Sequence, residues 1–509
     1  MTNLKNTSGT YETLARDFCW KIPEHYNIGV DVCDKWGKSN PARVAIIDVD
    51  DNGVGYETTF LDLMENSNRL ANALRHLGVC HRADGQSDRV AVLLAQSNET
   101  ATSHVAIYKM GCVAVPLFAL FAEEALLHRL RDSGAKVVIT DREGVKKLSS
   151  IRAQLPELET IISIDGPSGS ALIFETLMAE QTIDFESVNT RSEDPAILIY
   201  TSGTTGQPKG ALHAHRVLLG HLPGVEISHN FLPVKNDRFW TPADWAWIGG
   251  LLDVLLPSLH HGIPVVAKRF KKFTAEAAFE LIAEHAIRNV FLPPTALKMM
   301  RQLPRELCPS TNLRSIASGG EALGQELLSW AREVLGTTIN EFYGQTECNM
   351  VVSSCCALDE PLPGAMGRAV PGHIVQIIDP VSGEILPAGT EGAIAVRSPD
   401  PVMFLGYLNN PDATKEKFIE GPDGNWLLTG DRGVSTHSGW LHFVGRNDDV
   451  ISSAGYRIGP GEIEDCLLKH ENIQMAGVVG KPDELRGSVV AAYVVLSDAD
   501  IERTVKTCV

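Results

Sequence analysis

The chain is 509 residues long, more than one small hydrophobic core accommodates, so two or more domains are expected. Apolar residues make up 44% and charged residues 21%, the balance of a globular protein, and 63 acidic against 45 basic residues give a net charge of −18 that argues against nucleic acid or an anionic membrane as the main partner. Ten scattered cysteines with no Cys-x-x-Cys pair argue against a zinc site or a disulfide framework and fit a reducing, cytoplasmic setting, while neither the polar start Met1 to Gly9 nor the longest apolar stretch, Val113 to Phe121, has the length or character of a signal peptide or membrane span.

Taken in chain order, Phe60, Leu63, Leu70, Leu74 and Leu77 recur at helical spacing and predict a helix over 60–77, stopped by Gly78. Strands over 90–94, 113–115 and 137–140 then alternate with helices near 99–110 and 122–133, the signature of a parallel α/β sheet. A further strand, Ala196 to Tyr200, precedes a loop rich in Gly, Ser and Thr and should deliver it at a sheet edge. The α/β pattern resumes with an apolar run from Ile248, a strand over 264–266, a helix near 274–286 and a strand over 289–292. Beyond Gly367 short strands, 373–378 and 392–397, lie between Gly/Pro turns and predict a small β-rich unit. The polar joint Arg446-Asn-Asp-Asp449 is a candidate boundary before a last segment that includes a strand over 489–496.

The loop carries the densest chemistry. It reads Thr201, Ser202, Gly203, Thr204, Thr205, Gly206, Gln207, Pro208, Lys209, Gly210. Glycines let the backbone approach an anion, and four hydroxyls with one lysine supply donors and charge, so the run suits a polyphosphate. A Walker loop needs Gly-Lys-Ser/Thr leading into a helix, whereas Lys209 stands between Pro208 and Gly210, which excludes a P-loop NTPase.

This run resembles the signature of the adenylate-forming superfamily, which includes acyl-CoA synthetases, peptide-synthetase adenylation domains and luciferases, and the likeness extends in order along nearly the whole chain. It implies ATP, CoA and Mg²⁺ as the small molecules bound. It also implies an α/β fold: a large N-terminal domain, 1–447, of two parallel α/β sheets with a β-barrel-like subdomain at about 368–447, then a small, incomplete α+β C-terminal domain, 448–509. By the same resemblance Gly319, Gly320 and Glu321 lie along adenine, and the segment Glu341, Phe342, Tyr343, Gly344, Gln345, Thr346, Glu347 stacks Tyr343 on adenine, bonds the α-phosphate through Thr346 and holds the metal through Glu347, with Thr204 as a second metal ligand. Asp431, expected at a strand end after the Thr-Gly turn, and Arg446 contact ribose. Asp448 is the hinge, Ala454, Gly455, Tyr456 and Arg457 form the loop that meets CoA, Arg457 touches phosphate, and Arg486 matches a CoA-contacting arginine of medium-chain synthetases. Lys209, Thr346, Glu347 and Arg457 are the catalytic candidates.

For the acid, Trp247, Ile248 and Gly249 resemble the family's acyl-site lining, and Gly344 stands where acetate-specific members place a pocket-closing tryptophan. A deeper pocket is therefore expected, for a medium-chain, branched or aromatic acid, with Trp245 and Trp247 alternatively serving as core. The family's Pro-Lys-Thr-x-x-Gly-Lys loop is not found before Val509, so adenylation is expected to be impaired and apolar surface near Tyr493 and Val495 uncovered. Two other readings stay open: a nucleotide- or acyl-adenylate-binding protein with little turnover, and an adenylating enzyme that passes its acyl group to a carrier-protein thiol or an amine.

Overall fold

The computed structural model describes residues 4, 9–82, 86–201, 207–320, 323–446, 451–453, 456–458, 460–468, 470, 472–483 and 487–496. The predicted helix is observed as Phe60–His76, opened by a capping box in which Thr59 and Asp62 exchange side-chain and backbone bonds. The alternating segments that follow fold as read, with strands Arg89–Leu93, Val113–Pro116 and Val137–Thr140 and helices Asn98–Lys109 and Glu123–Ser133.

These strands belong to an eight-stranded sheet. From one edge its order is Gly406–Tyr407, Lys209–Ala214, Pro195–Thr201, Val113–Pro116, Arg89–Leu93, Val137–Thr140, Thr160–Ser163 and Leu172–Ile173. Pairing is parallel from Pro195–Thr201 to the far edge and antiparallel on the other side. The strand before the phosphate-type loop is thus interior rather than at a sheet edge. It turns back into Lys209–Ala214 as a hairpin, and Gly406–Tyr407 closes the flank.

A second sheet has nine strands, with a parallel centre that runs through Ser315–Gly319 and Ile339–Gln345 and antiparallel strands at both margins. Side chains alternate across each sheet. Val90 and Val92 face a core shared with the buried helices between the sheets, while Ala91 and Leu93 face the outer helices. In the second sheet Phe239 joins the shared core and Trp240 the outer one. The helix Val217–Ser228 lies in the shared layer with every residue buried. Its Gly220 admits the backbone of Pro401 and Val402, against which a Cβ would approach to 2.5 Å.

The β-rich unit is a five-stranded antiparallel sheet in which the long strand Gly424–Ser435 pairs with Glu391–Ser398, Phe418–Gly421 and Leu441–Arg446. A four-stranded sheet, Tyr456–Ile458, Ile451–Ser453, Gly487–Leu496 and Ile473–Asp483, ends the described chain with the helix Pro460–Leu468. Tyr493 and Val495 are 69% and 50% exposed. No helix among the described residues is long and apolar enough to cross a membrane.

Candidate functional site

A cavity of about 2110 Å³ opens where the C-terminal ends of Pro195–Thr201, Ser315–Gly319 and Ile339–Gln345 meet the β-rich unit and the four-stranded sheet. Ligand crevices of open α/β sheets lie at such strand ends. Its wall contains Thr201, Lys209, Trp247, Ile248, Gly249, Gly319, Gly320, Glu341, Phe342, Tyr343, Gly344, Gln345, Thr346, Glu347, Asp431 and Arg446, which the sequence scatters over nearly 250 positions. Gln207 is exposed, and Pro208 is held aside by its carbonyl, which accepts from His128 Nε2 at 2.9 Å. Ser202, Gly203, Thr204, Thr205, Gly206, Glu321, Asp448, Ala454, Gly455 and Arg486 lie outside the described residues, and Tyr456 and Arg457 are described only as strand backbone.

At one end, Lys209 begins a strand rather than a helix, and its Nζ sits 5.3 Å from the centre of the Tyr407 ring. The Tyr407 hydroxyl donates to Glu347 Oε1, and Lys417 Nζ stands 3.9 Å from the same oxygen. Burial, reinforced by the Glu347 charge, raises the Tyr407 phenol above its ordinary range, so it stays a donor. Gln345 completes the group: its Nε2 donates to the Thr429 carbonyl at 2.9 Å and its Oε1 accepts from Lys417 at 3.3 Å. Sequence reading missed Tyr407 and Lys417. No motif marks them: Tyr407 arrives on the edge strand of the eight-stranded sheet beside Lys209–Ala214, and Lys417 arrives from the β-rich unit just before Phe418–Gly421.

Beside this cluster, Asp431 and Arg446 are direct cross-strand partners, so their spacing in sequence becomes adjacency on one face. Asp431 sits within Gly424–Ser435, not at a strand end. Gly430 at φ +86° and a register shift deform the ladder and turn the carboxylate toward the cavity. The Tyr343 hydroxyl donates to Asp431 Oδ2 at 2.5 Å, and burial followed by the Asp431 charge raises the Tyr343 phenol well above its ordinary value.

The third part of the wall is aromatic. Trp247 is 37% exposed and faces the cavity, whereas Trp245 is wholly buried and belongs to the core. Phe291, which the sequence did not single out, lies 6.1 Å from Trp247 and 5.3 Å from Phe342 between ring centres. Two glycines fit this packing closely: a Cβ on Gly319 would approach the Phe342 ring to 2.6 Å, and one on Gly249 the Phe291 ring to 2.9 Å. Gly344 has a different constraint. A Cβ there would fall 1.7 Å from the Asn349 carbonyl oxygen, so glycine is demanded by the turn that presents Gln345 to Glu347.

Residues 33–408 match the family model described as AMP-binding enzyme, and residues 462–509 match AMP-binding enzyme C-terminal domain. The chain is 32% identical over 489 residues to acyl-coenzyme A synthetase ACSM4, mitochondrial, of Homo sapiens, covering 94% of this chain and 82% of the relative. Among solved structures, the anthranilate CoA ligase AuaEII in complex with anthranoyl-AMP superposes with a TM-score of 0.83 at 28% identity, covering 93% of this chain and 88% of that one. ATP-bound MatB from Rhodopseudomonas palustris gives 0.81 at 26% identity, with 94% and 90% covered.

Proposed function

The chain belongs to the AMP-binding enzyme family as an AMP-forming acyl-CoA synthetase, and from that premise we propose that its cleft activates a medium-chain, branched or aromatic carboxylic acid with ATP and transfers it to CoA. The observation that carries this reading is the single cavity that joins Lys209 and the Glu347 cluster, the Asp431–Arg446 pair and an aromatic-walled recess. Each face suits one portion of an acyl-adenylate: cations for phosphate, a carboxylate for ribose hydroxyls, rings and glycine backbone for the acyl group.

A free carboxylate is a poor acyl donor because its oxygen leaves badly and its charge repels nucleophiles. In the first step a carboxylate oxygen of the acid forms a bond to the α-phosphorus of ATP and pyrophosphate leaves. Lys209, Thr346 and the Ser202 to Gly206 loop supply charge and donors where negative charge grows on phosphorus. Asp431 accepts from the ribose hydroxyls and, held by Tyr343, fixes the nucleotide for in-line attack; Arg446 is the second ribose contact. Tyr343 and the Gly319–Gly320 backbone flank adenine. In the second step the CoA thiolate attacks the acyl carbonyl and AMP departs, with Arg457, Gly455 and Arg486 assigned to CoA and Asp448 to the hinge between the units 1–447 and 448–509.

The described residues fit Mg²⁺ in one specific sense. They contain no cluster of three or more His, Cys, Asp or Glu side chains, and Glu347 is the carboxylate on the phosphate side of the wall. Mg²⁺ commonly takes one or two carboxylates and fills its shell with phosphate oxygens and water. Glu347, with Thr204 as second ligand, would hold it there, where it would neutralise phosphate charge.

Eight cysteines have described side chains and all eight are free thiols; we assign a reducing compartment, the cytoplasm, while ACSM4 is itself named mitochondrial. The test is ATP–pyrophosphate exchange over a panel that includes hexanoate, octanoate, benzoate and anthranilate, with acyl-AMP and CoA supplied separately to isolate the second step. Exchange and thioester formation with at least one acid are expected. Neither reaction with any acid would refute the proposal.

A further inference from the structure

Helix residues that line the acyl end carry one charge that the ligase reading leaves unused. Asp253 lies in the run Gly249–Leu255, a widened π-type turn that continues directly into the helix Leu256–His261. Its neighbours Leu251, Leu252, Val254 and Leu255 are fully buried in the shared core. Asp253 itself is 6% exposed, and that exposure is toward the cavity, beside Gly249 and Phe291. A Cβ on Gly249 would lie 3.2 Å from Asp253 Oδ2, so this oxygen borders the acyl recess itself.

The carboxylate has one polar neighbour among the described residues, His221 on the buried helix Val217–Ser228, whose Nε2 is 2.7 Å from Oδ1. The contact is bent from the ideal N–H direction, which leaves both His221 nitrogens poorly satisfied while the ring stands close against Oδ1. His221 thus covers the Oδ1 side of the carboxyl group. Oδ2 is left as an acceptor with no donor from the described protein. An unsatisfied buried polar group costs free energy, and a carboxylate more than most. Oδ2 borders the cavity beside Gly249, where a donor on the bound acid could satisfy it once the acid displaces solvent.

We propose that Asp253, oriented by His221, is a specificity-determining residue that selects acids bearing a hydrogen-bond donor, a hydroxyl or amino group, at the part of the acyl moiety remote from the activated carboxylate. This rests on the acyl-adenylate reading of the cleft and names the class of acid it takes. Purely hydrocarbon acids leave Oδ2 dry and unpaired, and a site built to bond a donor rejects the analogue that lacks it far more strongly than an apolar wall rejects an extra methylene.

The test uses non-reactive acyl-sulfamoyl adenosines, so that binding is read without turnover. Calorimetry on the full chain compares the benzoyl compound with its 2-, 3- and 4-amino and -hydroxy counterparts, and the hexanoyl compound with its 6-hydroxy counterpart. At least one donor-bearing member is expected to bind tenfold or more tightly than its parent. Asp253→Leu should abolish that preference and favour the parent, with affinity for AMP unchanged; Asp253→Asn, which keeps size and one acceptor oxygen, should reduce the preference at least threefold and serves if the leucine variant does not fold. Parents binding as tightly as every donor-bearing partner in the wild type, or a preference that survives Asp253→Leu, would overturn the proposal while leaving the ligase reading intact. Failure of all the compounds to bind would overturn both.

Discussion

Gly344→Ala adds a single methyl group and is expected to disable the nucleotide site. The new Cβ would lie 1.7 Å from the Asn349 carbonyl oxygen, 2.4 Å from its carbon and 2.9 Å from the Met350 Cα, all backbone atoms with no rotamer to move. Carbon and carbonyl oxygen touch at about 3.3 Å or more, so the facing strand must retreat by roughly 1.6 Å. That strand pairs Gly344 with Met350 and Gln345 with Asn349, closing the turn that carries Thr346 and Glu347. Overpacking of this kind costs about 1–3 kcal/mol. Charged wholly to the turn, the upper figure corresponds to about a hundredfold loss in kcat/KM for ATP. The control is Gly249→Ala, whose Cβ meets the tips of Phe291 at 2.9 Å and Trp247 at 3.0 Å, side chains that can shift. It should narrow the range of acids and spare ATP. ATP–pyrophosphate exchange with thermal unfolding on both variants separates the effects. Gly344→Ala within threefold of wild type in kcat/KM for ATP would refute the steric reasoning.

Other expectations follow from the same geometry. Tyr343→Phe removes the donor to Asp431 Oδ2 but keeps the ring, and since a hydrogen bond to a charged group is worth about 1.5–3 kcal/mol and Asp431 is half-buried, AMP affinity should fall by about tenfold, read by calorimetry; unchanged affinity would contradict the role given to Asp431. Lys209→Met should lower exchange by about a hundredfold or more without changing the melting temperature, because Lys209 is only partly buried and its ammonium rests over the Tyr407 ring. Asp244, partly buried three residues before Trp247, has its carboxyl pushed up to about 6 by desolvation. The folded protein therefore binds this proton more tightly than the unfolded chain, so the contribution of Asp244 to stability is greatest below about pH 4 and is lost as pH rises toward 6. Asp244→Asn, which keeps the acceptor for the Ala246 N–H, should stabilise the protein at pH 7 and have little effect at pH 4; a gain of equal size at both pH values would refute the assignment.

Much of the large α/β region was legible because its signal is local. Helices such as Phe60–His76 show 3.6-residue periodicity and a cap, and buried strands such as Val137–Thr140 show short β-branched runs. The loop that ends at Lys209 was legible because phosphate chemistry favours glycines, hydroxyls and a lysine, whereas Tyr343 to Glu347, Asp431 and Arg446 were picked out by family resemblance, and the structure brings them to the same cavity wall. The interior placement of Pro195–Thr201 was not, since a buried strand reads alike at a sheet's edge or centre until its partners are known. Nor was the in-strand position of Asp431, where Thr429-Gly430 resembles a turn but forms a bulge. Tyr407, Lys417 and Phe291 reach the site through long-range packing that leaves no trace in local pattern. Asp253 did leave one, a carboxylate inside Leu-Leu-Asp-Val-Leu-Leu, but reading the run only for its apolar character concealed it.

The most direct test of the account is a mass-balanced assay of the full chain with ATP, Mg²⁺, CoA and each acid of the panel, quantifying nucleotide and thioester together. The account predicts AMP, pyrophosphate and acyl-CoA in equal amounts, dependent on the acid. Release of ADP and phosphate, or AMP formed with no acyl-CoA when CoA is saturating, would contradict it.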